Sequence, residues 1–148
     1  MIDDFAFLFD RDIGRLYKEI EAYENEEDLW IVKEEIANSA GTLCLHLCGN
    51  LKSFIGKEIG GFSYQRDRER EFAARNVAKE DLLKEVHEVK LLIVNSLIGL
   101  DPGKLDDLFP INVFNKEMSY FYFITHLYGH LNYHLGQINY HRRLLSTN

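Results

Sequence analysis

Apolar residues recur along most of this chain at steps of three and four, the spacing an α-helix needs to bury one stripe of its surface. Residues 2–23 carry Ile2, Phe5, Phe9, Ile13, Leu16, Ile20 and Tyr23 in such a run, a heptad-like seam that predicts a first helix. The acidic cluster from Glu24 to Asp28 breaks the pattern, and the stretch to Ala37 reads as a connection that packs Trp30 over one end of the fold. A second helix is expected from Asn38-Ser39, both good N-cap residues, to Gly60-Gly61, where a left-handed stop forms easily. Leu43, Leu47 and Phe54 share one of its faces, with His46 and Asn50 at the edge, while Gly41, Cys44, Cys48 and Ile55 keep the opposite side small or apolar. A helix apolar on both sides lies either deep in a core or at a subunit interface, and a homodimer contact is the reading favoured here.

Residues 62–77 alternate charge without an apolar period and read as a loop. Arg66, Arg68, Arg70 and Arg75 are nearly balanced by Asp67, Glu69 and Glu71, which predicts a solvated, self-paired surface. A third helix is expected over 79–98, with Leu82, Val86, Val89, Ile93 and Leu97 inward and His87 exposed. Asp101-Pro102-Gly103 marks a turn within 99–114, and a fourth helix is expected over 116–145. Four periodic segments with no alternating strand pattern predict an all-α fold. Its form is a four-helix bundle, with one long segment between the second and third helices and a single domain over 1–148.

The charge of −7 argues against a protein that grips nucleic acid or an anionic membrane, because that affinity comes from clustered Lys and Arg. The most apolar stretch, 91–100, is short and interrupted by Asn95 and Ser96, so it is not expected to span a bilayer. The first residues are acidic where a secretory signal carries positive charge, so a cytoplasmic protein is expected. Cys44 and Cys48, one helical turn apart, close no useful loop and read as small buried side chains.

Candidate chemistry concentrates in the last helix. His126, His130 and His134 stand four apart and climb one side of it, beside an apolar stripe of Ile124, Leu127, Leu131, Leu135 and Ile138. His134 falls next to that stripe, His130 somewhat outside it and His126 furthest out. Neutral imidazole is a common ligand for zinc, nickel and related ions, and helical bundles build such sites from facing helices. His130 and His134 supply two ligands and a third has to come from elsewhere. His46, at the margin of the second helix's apolar face, is the best candidate, and His126 is the local competitor. Gly136 costs about 1 kcal/mol against alanine in mid-helix, which points to close packing of another helix or a ligand. Asn50, Gln137 and Tyr133 are candidates to orient the imidazoles or a substrate.

One histidine on the second helix, followed by HxxxH-x-GQ on the fourth, resembles the DinB-like superfamily, the DinB/YfiT metalloenzymes. The segments NEEDLW, NSAGTLCLHLCGNL, the REREF loop and HLNYHLGQINYHRRLL carry the likeness along the chain, to an uncharacterised bacterial branch. The resemblance implies a four-helix bundle, often dimeric, that holds a divalent transition metal, zinc or nickel foremost, through His46, His130 and His134 with water in the remaining positions. Some relatives are thiol-dependent: transferases that join bacillithiol or mycothiol to electrophiles, and a mycothiol-dependent maleylpyruvate isomerase. The resemblance therefore implies a small-molecule substrate, a thiol first among the choices. Leu135 stands where many members carry arginine, and His126 matches no family ligand. Metal-assisted hydrolysis by an activated water, and a non-catalytic dimeric metal-binding or stress-response bundle, are the alternatives.

Overall fold

A computed structural model describes residues 1–146. Its long helices are α1 (Ile2–Glu21), α2 (Ala40–Leu51), α4 (Lys79–Ile98) and α5 (Tyr120–Leu145), with a short α3 (Arg68–Ala73) between α2 and α4. Among the described residues there is no strand, only an isolated antiparallel bridge between Leu108 and Ser119. Both α1 and α2 pack on α4 and on α5, while α1 and α2 barely meet. The helices therefore form a four-membered ring in which α1 faces α2 across the core.

The seams are those the periodicity predicts. Ile2, Phe5, Phe9, Ile13, Leu16 and Ile20 of α1 are buried, as are Leu82, Val86, Val89, Ile93 and Leu97 of α4, and His87 is exposed. Each such side chain withdrawn from water contributes roughly 1.5–3 kcal/mol, which makes these stripes the main source of stability. The α2 start is also as expected: the Ser39 hydroxyl accepts from the Thr42 amide, satisfying one of the donors that a helix start leaves free. The chain then continues beyond Leu51 as a wider π-helical turn over Lys52–Lys57, and it stops at Gly61, whose φ of 72° only glycine adopts without strain.

Three local expectations need correction. First, all twelve residues of α2 are buried by the chain itself. Its small-residue side receives Trp30, whose ring lies so close that a Cβ at Gly41 would come within 2.7 Å of it. The two-sided apolarity of α2 is thus satisfied without a second subunit. Second, the charged loop contains α3, started by the Asp67 carboxylate accepting from the Arg70 amide at 3.0 Å. Arg68, Arg70 and Arg75 are solvated as expected, but Glu71 is buried and Arg66 half-buried. Third, α5 begins at Tyr120 rather than near residue 116. Hydrogen bonds from the Phe109 amide to Met118 and from the Tyr120 amide to Asp107 keep the preceding residues out of the helix, and Ser119 caps Tyr122.

One polar residue sits inside the apolar seam of α1. Asp12 is fully buried, and its carboxylate accepts from Arg11 at 2.9 Å, Arg15 at 3.0 Å, the Tyr128 hydroxyl at 2.6 Å and the Asn132 amide at 3.1 Å. Burial alone raises its pKa, but hydrogen bonds from Arg11, Tyr128 and Asn132 outweigh burial and hold it at about 2. A carboxyl held below its unfolded value of 3.8 adds stability that is fully present above that pH and is lost as the pH falls through about 2. Asp12→Asn should lower stability at neutral pH by about 1–3 kcal/mol and flatten that acid limb, as read by urea denaturation from pH 7 to pH 2.

Candidate metal centre

The site is built where α2 crosses α5. His46 meets His130, and two turns further on, in the π-helical turn that continues α2, the Phe54 ring meets Phe123 edge-on at 5.1 Å, so α2 and α5 run antiparallel at this contact. Residues one turn apart on α5 therefore face one point of α2. The Nε2 atoms of His46 and His130 are 3.1 Å apart, as are those of His134 and His130, and one ligand nitrogen from each of the three lies within 4.8 Å of the others. His46 is buried and the other two are half-buried. Two nitrogens each about 2.0–2.1 Å from one ion, at octahedral to tetrahedral angles, would stand roughly 2.9–3.4 Å apart. The spacing of His130 to both neighbours fits that range, so the cluster could hold a metal ion.

The far ring nitrogens decide which tautomer each histidine presents. His134 Nδ1 lies 2.7 Å from Gln137 Oε1, an acceptor, so Nδ1 carries the proton and the Nε2 lone pair faces the cluster. His46 Nδ1 lies 3.3 Å from Glu71 Oε1, again an acceptor. His130 Nδ1 is buried and has no partner. Burial pushes the pKa of His130 down to about 3, assisted by repulsion from His134, His46, His126 and Arg66; burial lowers that of His134 too, against the hydrogen bond that His134 donates to Gln137. Both shifts favour the neutral imidazole, the form that coordinates metals.

Glu71 is the residue that sequence reasoning missed. Arg66 donates to both its oxygens, Nε to Oε2 at 2.9 Å and Nη2 to Oε1 at 3.0 Å. Burial raises the Glu71 pKa, but hydrogen bonds from His46 and Arg66 bring it below the usual value. Asp67, three residues ahead of an Arg-Glu-Phe run, is a cap signal that could have revealed α3, yet nothing local tells which acid turns inward.

The remaining candidates separate clearly. His126 is exposed, stacks on His130 with ring centroids 6.4 Å apart and lies edge-on to Phe114 at 4.8 Å, outside the cluster. His141 is buried at the far end of α5, where Nδ1 pairs with the Tyr23 hydroxyl at 2.7 Å and Nε2 donates to the Ile31 carbonyl at 2.9 Å. Of the three proposed orienting groups, Gln137 touches a cluster imidazole through a hydrogen bond. Tyr133 lies edge-on to His134 at 5.3 Å, and the buried Asn50 Oδ1 has no partner. The inference from Gly136 fails: it is exposed, with open space where a Cβ would stand. Beside His134 opens a cleft of about 550 Å³, lined by Ile36, Leu43, Tyr133, Gln137 and Tyr140 among others.

A family model described as "Protein of unknown function (DUF1572)" matches residues 11–148. No curated protein and no solved structure matches the chain. No helix among the described residues is long and apolar enough to cross a membrane.

The lowered pKa of His130 has a direct consequence for folding. In the unfolded chain this imidazole takes up a proton near pH 6.5, whereas in the fold it resists until about pH 3. The unfolded state therefore binds more protons between those values, and stability falls as the pH drops. Denaturant unfolding of metal-free protein should show that decline from pH 6.5 to pH 4, and His130→Gln should make it shallower.

Proposed function

Since the chain belongs to the family described as a protein of unknown function, DUF1572, we propose that it is a divalent-metal-dependent enzyme of the DinB-like kind. His46, His130 and His134 hold the ion, zinc or nickel, and a low-molecular-weight thiol is the substrate of an S-transfer reaction. The observation that carries this reading is the convergence of three inward Nε2 atoms from two helices, with acceptors at the back of His46 and His134 turning their lone pairs inward.

A divalent ion bound by three neutral imidazoles keeps its double charge, so it supplies Lewis acidity that lowers the pKa of a thiol or water beside it. The chain's own contribution is placement. Glu71 and Gln137 fix the rings, and the cleft beside His134 offers an apolar wall with a few polar groups, the usual lining of a small-molecule site. Tyr133, exposed and edge-on to His134, stands where it can close over a bound substrate.

Protein purified without an affinity tag should contain close to one transition metal per chain by elemental analysis. His46→Ala, His130→Ala and His134→Ala should each remove it, and His126→Ala should keep it. Retention of metal by His46→Ala together with its loss in His126→Ala overturns the ligand assignment. A panel of small thiols should raise the melting temperature of the metal-loaded protein and leave the metal-free protein unmoved; no response in either form argues for a non-catalytic metal-binding bundle.

A further inference from the structure

We infer that Glu71 is a positioning residue for the metal centre, and that Gly49 is the notch in α2 that admits it. The inference rests on the metal-binding reading above and concerns how His46 is made ready for an ion. His46 Nδ1 has two neighbours at nearly equal distance, Glu71 Oε1 at 3.3 Å and Arg66 Nη2 at 3.4 Å. They ask for opposite things. A carboxylate only accepts, so the contact to Glu71 requires a proton on Nδ1 and leaves the Nε2 lone pair facing His130. A guanidinium only donates, so a bond from Arg66 would require a bare Nδ1 and would put the proton on Nε2, where it blocks an ion.

The carboxylate is therefore the group that selects the metal-ready tautomer, and Arg66 serves by gripping both its oxygens. Without Glu71, the arginine left behind would favour the wrong form. The placement is deliberate in steric terms as well. The carboxylate is pressed against α2 at Gly49, where an added Cβ would collide with Oε2 and lie only 2.5 Å from the carboxyl carbon. Gly49 sits three residues after His46, about 300° around the helix, so the notch lies beside the imidazole and on the flank that α3 covers. Phe72, the residue after Glu71, packs on the His46 ring with centroids 4.9 Å apart and closes the other side. The three ring supports are unequal: a carboxylate behind His46, an amide behind His134, and no group behind His130.

The experiment pairs two readouts on wild type, Glu71→Ala, Glu71→Gln and Gly49→Ala. Nitrogen-15 NMR of the metal-free proteins reports the His46 tautomer, and competition with a chelator reports zinc affinity. Wild type should carry the His46 proton on Nδ1. Glu71→Ala should move it toward Nε2 and weaken zinc binding roughly 10- to 100-fold. Gly49→Ala, which expels the carboxylate without deleting it, should do the same, and Glu71→Gln should fall between. Unchanged tautomer and unchanged affinity in Glu71→Ala overturn the inference. Wild type that binds no zinc overturns the metal reading instead, while the tautomer shift still decides what Glu71 does. If melting shows that Gly49→Ala is unfolded, Glu71→Gln, which keeps the side chain's shape, decides alone.

Discussion

The crossing of α2 over α5 is the contact on which the rest of this structure depends. It sets His46 against His130 and, through the four-residue spacing on α5, against His134. A buried imidazole is costly when its nitrogens are left without partners, so a helix as enclosed as α2 tolerates one only where something meets it on both sides. Here one nitrogen faces the other histidines and the opposite one faces Glu71. The ring formed by the four long helices then has a definite polar point on one edge, and the apolar seams of α1 and α4 are what hold that edge in register.

The second polar point, at Asp12, has a different character. Its carboxylate is saturated by two arginines, a hydroxyl and an amide, and Arg11 and Asn132 also donate to Tyr128, so the donors form a closed local network. The histidine cluster is the opposite case, in which Nε2 atoms face one another at 3.1 Å and one buried ring nitrogen has no partner. A saturated buried charge is a means of aligning α1 with α5. A cluster of ring nitrogens left unsaturated in this way could hold a cation.

The contrast between α4 and the 62–77 segment shows why some of this was legible from residues alone. In α4 every third or fourth residue reports burial, so the helix over Lys79–Ile98 and its inward residues follow from spacing. The same reasoning, applied to an arginine-glutamate alternation, could register only balance of charge. Glu71 and Glu69 are the same residue type two positions apart on one short helix, and only the Gly49 notch across the way makes one of them a buried partner of His46 and the other a solvated side chain. The expected start of α5 failed for a related reason: residues 116–119 are drawn out of the helix by hydrogen bonds to 107–109, which local periodicity does not contain.

What the residues by themselves determined was the four long helices, their buried stripes, and three histidines whose spacing and position on apolar margins made them candidates for one site. These are properties of a stripe along a single cylinder, and spacing alone encodes them. What tertiary structure decided was which copies of repeated residue types meet: His46 rather than His126 beside His130, Glu71 rather than Glu69 behind His46, and α2 enclosed by its own chain. Those choices belong to the distances between helices, and no pattern within one helix carries them.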